Sequence, residues 1–196
     1  MNEILVLYYS KSGSVKEMAS FIARGINSVA GTQAKIRTVP EIFPETTKQK
    51  PSIPESGSLY ASLDDLETCS GLALGSPTRF GNMAAPIKYF IETITPLWLK
   101  GSLENKPACV FTSTSSTHGG NESTLLSMQI PLLHMGMILI GLPYSLPELH
   151  TTTTGGTPYG ASHVSIDNSV QSLSEDEKKL CISQGVRLAK LSLKLK

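Results

Sequence analysis

Cysteine is scarce in this 196-residue chain, with only Cys69, Cys109 and Cys181. They are odd in number, widely spaced and form no C-x-x-C pair, so the pattern excludes a disulfide framework and favours reduced thiols in a cytoplasmic setting. An excess of either charge is also missing. Seventeen Lys and Arg face sixteen Asp and Glu, a formal charge of +1, so no nucleic-acid or polyanion partner is expected. Long apolar runs are absent near the start. The run from Ile4 to Tyr9 is too short for the core of a signal peptide or for a membrane span, so no membrane insertion is expected. No internal repeat is visible. His150 and His163 make no ligand spacing with the other two histidines, so no catalytic metal is expected.

What is present is an alternation of strand-like and helix-like segments. The short apolar run Ile4 to Tyr8 reads as a strand buried on both faces. Val15, Met18, Ala19, Ile22 and Ala23 then follow helical spacing. Between them, "YYSKSGSVKEMA" sets three serines and a glycine in a strand-to-helix turn. Such a turn offers unpaired N–H groups and a positive dipole end, a natural seat for phosphate. An ordinary serine N-cap would account for one of the three hydroxyls.

Further strands are expected at Ala34–Val39, near an edge because it is polar on alternate positions, and at Gly71–Gly75, Ala108–Thr112 and Met137–Gly141. Helices fit at Ala84–Thr93, Ser123–Met135 and Ser174–Leu195. Five strands separated by helices in one chain of this length imply a single α/β domain over residues 1–196, a parallel sheet covered on both faces. Ligands of such sheets bind beyond the carboxyl ends of the strands. The segments "SKSGSV", "SPTRFGNMAAP" and "STSSTHGGNES" should therefore converge there, loops of hydroxyls and glycines that suit a flat, phosphorylated, hydrogen-bonding ligand. Two connections are long, Pro40–Leu63 and Leu142–Leu173, and loops of that length are usually functional or interface-forming.

The segments "VLYYS", "GSPTRFGNMAAPIKYFIE", "LLHMGM" and "GGTPYGAS" resemble the flavodoxin-like NAD(P)H:quinone oxidoreductases of the WrbA type, over essentially the whole chain, with "PTRFGNM" the most specific of them. The resemblance implies a flavodoxin-like, doubly wound five-stranded sheet of order 2-1-3-4-5 with helices on both faces, FMN as cofactor, NAD(P)H and quinones as substrates, and a homotetramer. It implies that Ser10, Lys11, Ser12, Gly13, Ser14 and Val15 hold the FMN phosphate. Pro77, Thr78, Arg79 and Phe80, with Ser113, Thr114, Ser115, Ser116, Thr117, His118 and Gly119, would border the ring. His134 would also contact the cofactor, and Trp98 would stand over the substrate side of the ring. The family's first loop commonly reads S-x-Y-G-H. Here Ser12 replaces the aromatic that would lie against nicotinamide.

The chemistry implied is hydride transfer through the flavin, by a ping-pong mechanism. Hydroxyls of Thr78, Ser113 or Thr114 would stabilise the reduced ring and Arg79 would add charge, unless it is simply a solvated surface arginine. His118 is the one catalytic candidate, as a donor to quinone or flavin, against a purely structural bond. His134 has core packing as its alternative and Trp98 a subunit contact. A flavodoxin-type one-electron carrier shares the fold but usually presents an acidic face, which a chain of charge +1 lacks. A low-molecular-weight phosphatase would need a cysteine and an arginine in the first loop, and Ser10 to Ser14 contain neither. A scaffold that contacts DNA would need a basic patch. The apolar residues of Leu142–Leu173, including Tyr144, Leu146, Leu149, Tyr159 and Val164, are expected to be covered by a neighbouring subunit, the alternative being that the segment folds back on its own domain.

Overall fold

A computed structural model describes residues 1–42, 53–165 and 172–195. Much of the first long connection, and residues 166–171 of the second, lie outside the described residues. The chain runs β1 (Asn2–Tyr8), α1 (Ser14–Asn27), β2 (Thr32–Thr38), α2 (Leu63–Thr68), β3 (Leu72–Arg79), β4 (Asn82–Met83), α3 (Ala85–Thr93) and α4 (Thr95–Leu99). It continues with β5 (Pro107–Thr114), α5 (Asn121–His134), β6 (Ile138–Leu139), α6 (Glu148–Thr151), β7 (Ala161–Val164) and α7 (Glu175–Lys194).

The main strands are parallel and stand in the order β2-β1-β3-β5-β6, with β2 at one edge as its alternating pattern implied. Because both faces of β1 are covered, its side chains divide between two cores. Leu5 and Leu7 join the cluster on one face with Leu72, Leu74, Ile87, Val110 and Leu125. Ile4, Val6 and Tyr8 join the other with Met18, Ile22, Ala73, Phe111 and Leu188. This two-sided burial is why the strand reads as an unbroken apolar run rather than an alternating one.

The expected order holds through its first four positions, and the fifth needs correction. Met137–Gly141 does not form one strand beside β5. Only Ile138 and Leu139 pair there, with Pro107 and Ala108 at the start of β5. Ile140 keeps one more bond, to the carbonyl of Ala108. The chain then leaves at Gly141-Leu142-Pro143, where proline has no N–H for a ladder. The upper half of the position is filled by β7, which pairs in parallel from Phe111↔Ala161 to Thr114↔Val164.

The segment Leu142–Leu173 also departs from expectation. Leu142, Ala161, Val164 and Leu173 are buried in the chain's own core, and Leu146 and Leu149 pack against it. Among the segment's described residues, only Tyr144 and Tyr159 of the large apolar groups stay exposed. The described part of the segment folds back on its own sheet, so Leu142, Leu146, Leu149, Ala161, Val164 and Leu173 need no neighbour to cover them.

Two helices on the same face of the sheet, α1 and α7, cross at unusually short range, and glycine permits it. A Cβ on Gly25 would lie 2.1 Å from the carbonyl oxygen of Ile182, and one on Gly185 would lie 2.1 Å from that of Ile22. Each glycine admits the backbone of the opposite helix. At the start of α7, Ser174 Oγ accepts from the N–H of Glu177, and Glu177 Oε2 accepts from the N–H of Ser174, a reciprocal cap.

The three cysteines are buried and unpaired. Burial pushes the thiol of Cys109 up to about 12 and raises that of Cys181 as well, so these thiols act as apolar filler rather than nucleophiles. Substituting Gly185→Ala should force the helices apart and destabilise the protein by about 2–3 kcal/mol, the scale of core overpacking. A lower urea midpoint with an unchanged slope is the expected result. An unchanged midpoint would show that the crossing can relax.

Candidate functional site

The carboxyl ends of β1, β3, β5 and β7 lie side by side, and the loops that leave them enclose a cavity of about 250 Å³. Lys11, Ser12 and Ser14 come from the turn after β1, and Pro77, Thr78 and Arg79 from the end of β3. Ser113, Thr114 and Ser115 come from the end of β5, and Ser165 follows β7. The three hydroxyl-rich segments therefore do converge, as an open parallel sheet requires.

The first wall is a helix start left open. Gly13 sits in the left-handed region with φ 104° and caps α1 without any side-chain bond to the first turn. Its N–H donates to Ser10 Oγ at 3.1 Å, so Ser10 holds the turn rather than facing the cavity. Nothing lies within 4 Å of where a Gly13 Cβ would be, so glycine is required here by backbone conformation and not by space. Ser12 and Ser14 line the cavity beside the start of α1, whose first turn has no side-chain cap and whose dipole end is positive, a setting that suits an anion. Val15 turns the other way, into the core.

On the second wall, Thr78 Oγ1 lies 2.6 Å from Thr124 Oγ1, which fixes its rotamer against α5. Behind it, buried Ser76 Oγ accepts from the N–H of Ala84, and Thr112 Oγ1 donates to the carbonyl of Ser76, tying β3, β5 and the start of α3 together. Arg79 lies at the rim, where its Nη1 donates to the carbonyl of Thr78 at 2.7 Å. Phe80 is fully exposed with φ 52°, a conformation costly for a bulky residue, at the tip of the β3–β4 turn.

The third wall is only partly as expected. Thr114 Oγ1 donates to the carbonyl of Ser116 and so shapes the loop. Ser115 lines the cavity, whereas Ser116, Thr117 and His118 are exposed and Gly119 is half-buried, none of them among its lining. Trp98 and His134 are not at this cavity either. Their rings stack on each other, centroids 5.5 Å apart, in a separate groove of about 580 Å³ formed with Ile91, Ile130 and Met135. Since each is exposed, neither core packing of His134 nor contact with this chain's own cavity describes them.

Sequence reasoning missed two features. Ser165 reaches the cavity because β7 exists, and "ASHV" is too short and too polar to read as a buried strand. Glu41 also escaped notice. It binds Lys11 Nζ at 2.6 Å and accepts from the hydroxyl of Tyr9 at 3.2 Å. The bond from Lys11 lowers the Glu41 carboxyl and raises the lysine. Burial, together with the nearby Glu41 charge, raises the Tyr9 phenol.

The fourth wall is Ser165, which follows β7, and behind it lies one buried polar centre. His163 Nδ1 donates to Glu177 Oε2 at 2.8 Å, both side chains being buried. Glu177 Oε1 accepts from the N–H groups of Gly155 at 2.8 Å and Val164 at 3.3 Å. A single carboxylate thus joins β7, the turn at Gly155 and the start of α7. Burial alone would raise this carboxyl, but the imidazole of His163 and the backbone donors outweigh it and hold it down at about 2.

Comparison with known proteins follows from this geometry. Residues 3–150 match the family model described as NADPH-dependent FMN reductase. The chain is 40% identical to an NAD(P)H dehydrogenase (quinone) of Chromohalobacter salexigens, with 100% of this chain and 99% of that protein aligned. It is likewise 40% identical to one of Acidithiobacillus ferrooxidans, at the same coverage of both. Among solved structures it resembles a WrbA-like flavodoxin from Agrobacterium tumefaciens, with TM-score 0.67, 18% identity and 100% of each chain covered. An archaeal flavodoxin has TM-score 0.63 and 18% identity over 97% of this chain and 99% of its own. At such identities the structures speak for the flavodoxin-like fold.

The depressed Glu177 carboxyl has a consequence for acid stability. Its contribution is fully present above its ordinary value of 4.5 and is lost as pH falls from there towards 2. Replacing Glu177 by Gln should cost about 3–5 kcal/mol at pH 7 and should flatten the fall in stability between pH 5 and 2.5. Urea unfolding of both forms across that range measures it. Parallel curves for the two proteins would show that Glu177 is not the titrating group.

Proposed function

The chain belongs to the NADPH-dependent FMN reductase family, and on that premise we propose that it is an FMN-dependent oxidoreductase passing two electrons, as hydride, from NAD(P)H to quinones and giving hydroquinones. The observation that carries this reading is the cavity at the carboxyl ends of β1, β3, β5 and β7, with an uncapped helix start on one side and a hydroxyl-rich wall on the other. These residues fit FMN. The phosphate would sit against the N–H groups of Ser14 and Val15 and the hydroxyls of Ser12 and Ser14. The ring would lie between Pro77, Thr78 and Arg79 on one side and Ser113, Thr114 and Ser115 on the other.

The chemistry that FMN supplies when bound is acceptance of hydride from NAD(P)H and its return to a quinone. The chain's own residues bind and orient. Ser10 holds Gly13 in its left-handed conformation, and Thr124 sets Thr78. Arg79 puts a positive charge at the rim, where it favours the charge that builds up on reduction. No cysteine lines the opening, so no thiolate nucleophile is available there. His118, on the exposed turn after β5, remains available to donate a proton to a quinone oxygen at the mouth.

Two finer features belong to the same proposal. Donor and acceptor use one opening in turn, which gives ping-pong kinetics. The enzyme acts as a homotetramer, and the support is the stacked Trp98–His134 pair in its own groove, with exposed Ile130 in the lining and exposed Leu99 and Leu133 as chain neighbours. Apolar surface of that kind calls for a partner, and a second copy would bring Trp98 and His134 over the first copy's cavity. The three unpaired cysteines support a cytoplasmic setting. No helix among the described residues is long and apolar enough to cross a membrane.

Gly13→Val should weaken FMN binding strongly and riboflavin binding little, because it disturbs only the phosphate turn. Fluorescence titration of the apoprotein with each ligand reads the difference, and equal losses would overturn the phosphate assignment. Turnover is tested by anaerobic stopped-flow absorbance with NAD(P)H and then a quinone. The spectrum should pass directly between its oxidised and fully reduced forms, whereas a third, long-lived spectrum would return the chain to the one-electron carriers. Repeating the assay on diluted enzyme should lower activity per FMN as subunits separate. Full activity from a monomer would remove the tetramer.

A further inference from the structure

At the other end of the sheet, away from the cavity, the C-terminal half of α7 and the chain just after β6 form a groove of about 490 Å³. The cavity lies at Ser113 and Thr114, where β5 ends, whereas β6 pairs with Pro107 and Ala108, where β5 begins. Six residues of strand separate Ala108 from Thr114, about 20 Å at the usual rise. The groove therefore shares no residue with the proposed catalytic opening.

Its floor is apolar, built from Ile140, Pro143 and Leu146 on one side and Ile182, Val186 and Leu191 on the other. Its rim is cationic. Arg187, Lys190 and Lys194 also line it, spaced three and four residues apart so that they share one face of α7. Two lysines earlier in the same helix have carboxylate partners, Lys178 with Glu175 at 2.8 Å and Lys179 with Glu148 at 3.6 Å. Arg187, Lys190 and Lys194 have no ion-pair partner among the described residues, and the sequence contains no acid after Glu177. The negative end of the helix dipole accounts for Lys194, which lies in the last turn. It does not account for Arg187, two turns earlier, since the dipole effect fades within one turn. Like charges at such spacing repel, so the row is a cost to the free protein that an anion would relieve. In a chain of net charge +1, the concentration of positive charge is local.

We propose that this groove binds a free long-chain carboxylate, one per chain. The alkyl chain would lie along the floor, and the carboxylate would pair with the Arg187 guanidinium, with Lys190 and Lys194 adding charge. The size of the groove falls within the roughly 300–1,000 Å³ typical of small-molecule sites. Its apolar residues form a recessed, half-buried floor, which suits a single chain better than the flat face of a bilayer.

The test is calorimetric titration of the FMN-loaded protein with dodecanoate below its micelle concentration. Saturable binding with one site per chain is expected. Dodecan-1-ol, which has the chain without the charge, should bind at least tenfold more weakly. The double variant R187E/K190E should lose tenfold or more in dodecanoate affinity while keeping its flavin spectrum and quinone turnover. Val186→Gln, which alters the floor and leaves the charges, should weaken binding as well and serves if the double variant does not fold. Absence of saturable binding, equal affinity for the alcohol, or unchanged affinity in both variants would each overturn the proposal. Sedimentation with phosphatidylglycerol vesicles in the absence of dodecanoate binding would also overturn it and assign the face to a membrane surface instead.

Discussion

Parallel pairing of β1 with β3 and of β3 with β5 is the constraint on which the rest of the molecule depends. Parallel neighbours cannot be joined by tight turns, so each strand must be followed by a crossover that returns the chain to the other end of the sheet. The crossovers cover both faces and leave the strand ends as the place where loops can gather. The loops after Tyr8, Arg79 and Thr114 meet because the three strands beneath them are in register, Tyr8 beside Gly75 and Pro77 beside Ser113. A binding site assembled from residues far apart in sequence is thus a direct product of the ladder.

Much of this was legible in the chain itself. Ile4 to Tyr8 announces a strand buried on both sides, and the apolar spacing from Val15 to Ala23 announces the helix that covers one of them. The serines and Gly13 mark the turn between. What could not be read is of one physical kind: features whose stability comes from a distant partner rather than from a local pattern. β7 contains Ser162 and His163, both buried, and nothing in "ASHV" suggests it until Glu177 is placed beside it. The break in the fifth strand has a local trace in Gly141 and Pro143, but its upper half is supplied by residues some twenty positions later. The short strand β4 and the helices α2, α4 and α6 are too brief for periodicity to show.

The site was legible to the same degree. Residues on strand ends, such as Thr78, Ser113 and Thr114, line the cavity at the carboxyl ends of the strands. Those on the exposed turn from Ser116 to His118, and the distant pair Trp98 and His134, do not meet the cavity of their own chain. Strand ends are fixed by the ladder, whereas exposed loops and surface aromatics answer to whatever binds them.

The divided fifth strand separates two tasks that a continuous strand would combine. β6 closes the lower edge of the sheet, and β7, with Ser165 beyond it, completes the site. The excursion between them is anchored at both ends, so its closure entropy grows only with the logarithm of its length, about 0.6 kcal/mol for each doubling. Insertions or deletions there leave the register of β5 untouched at both contacts. The fourth wall of the cavity can therefore be remodelled over evolutionary time without disturbing the sheet that carries the other three.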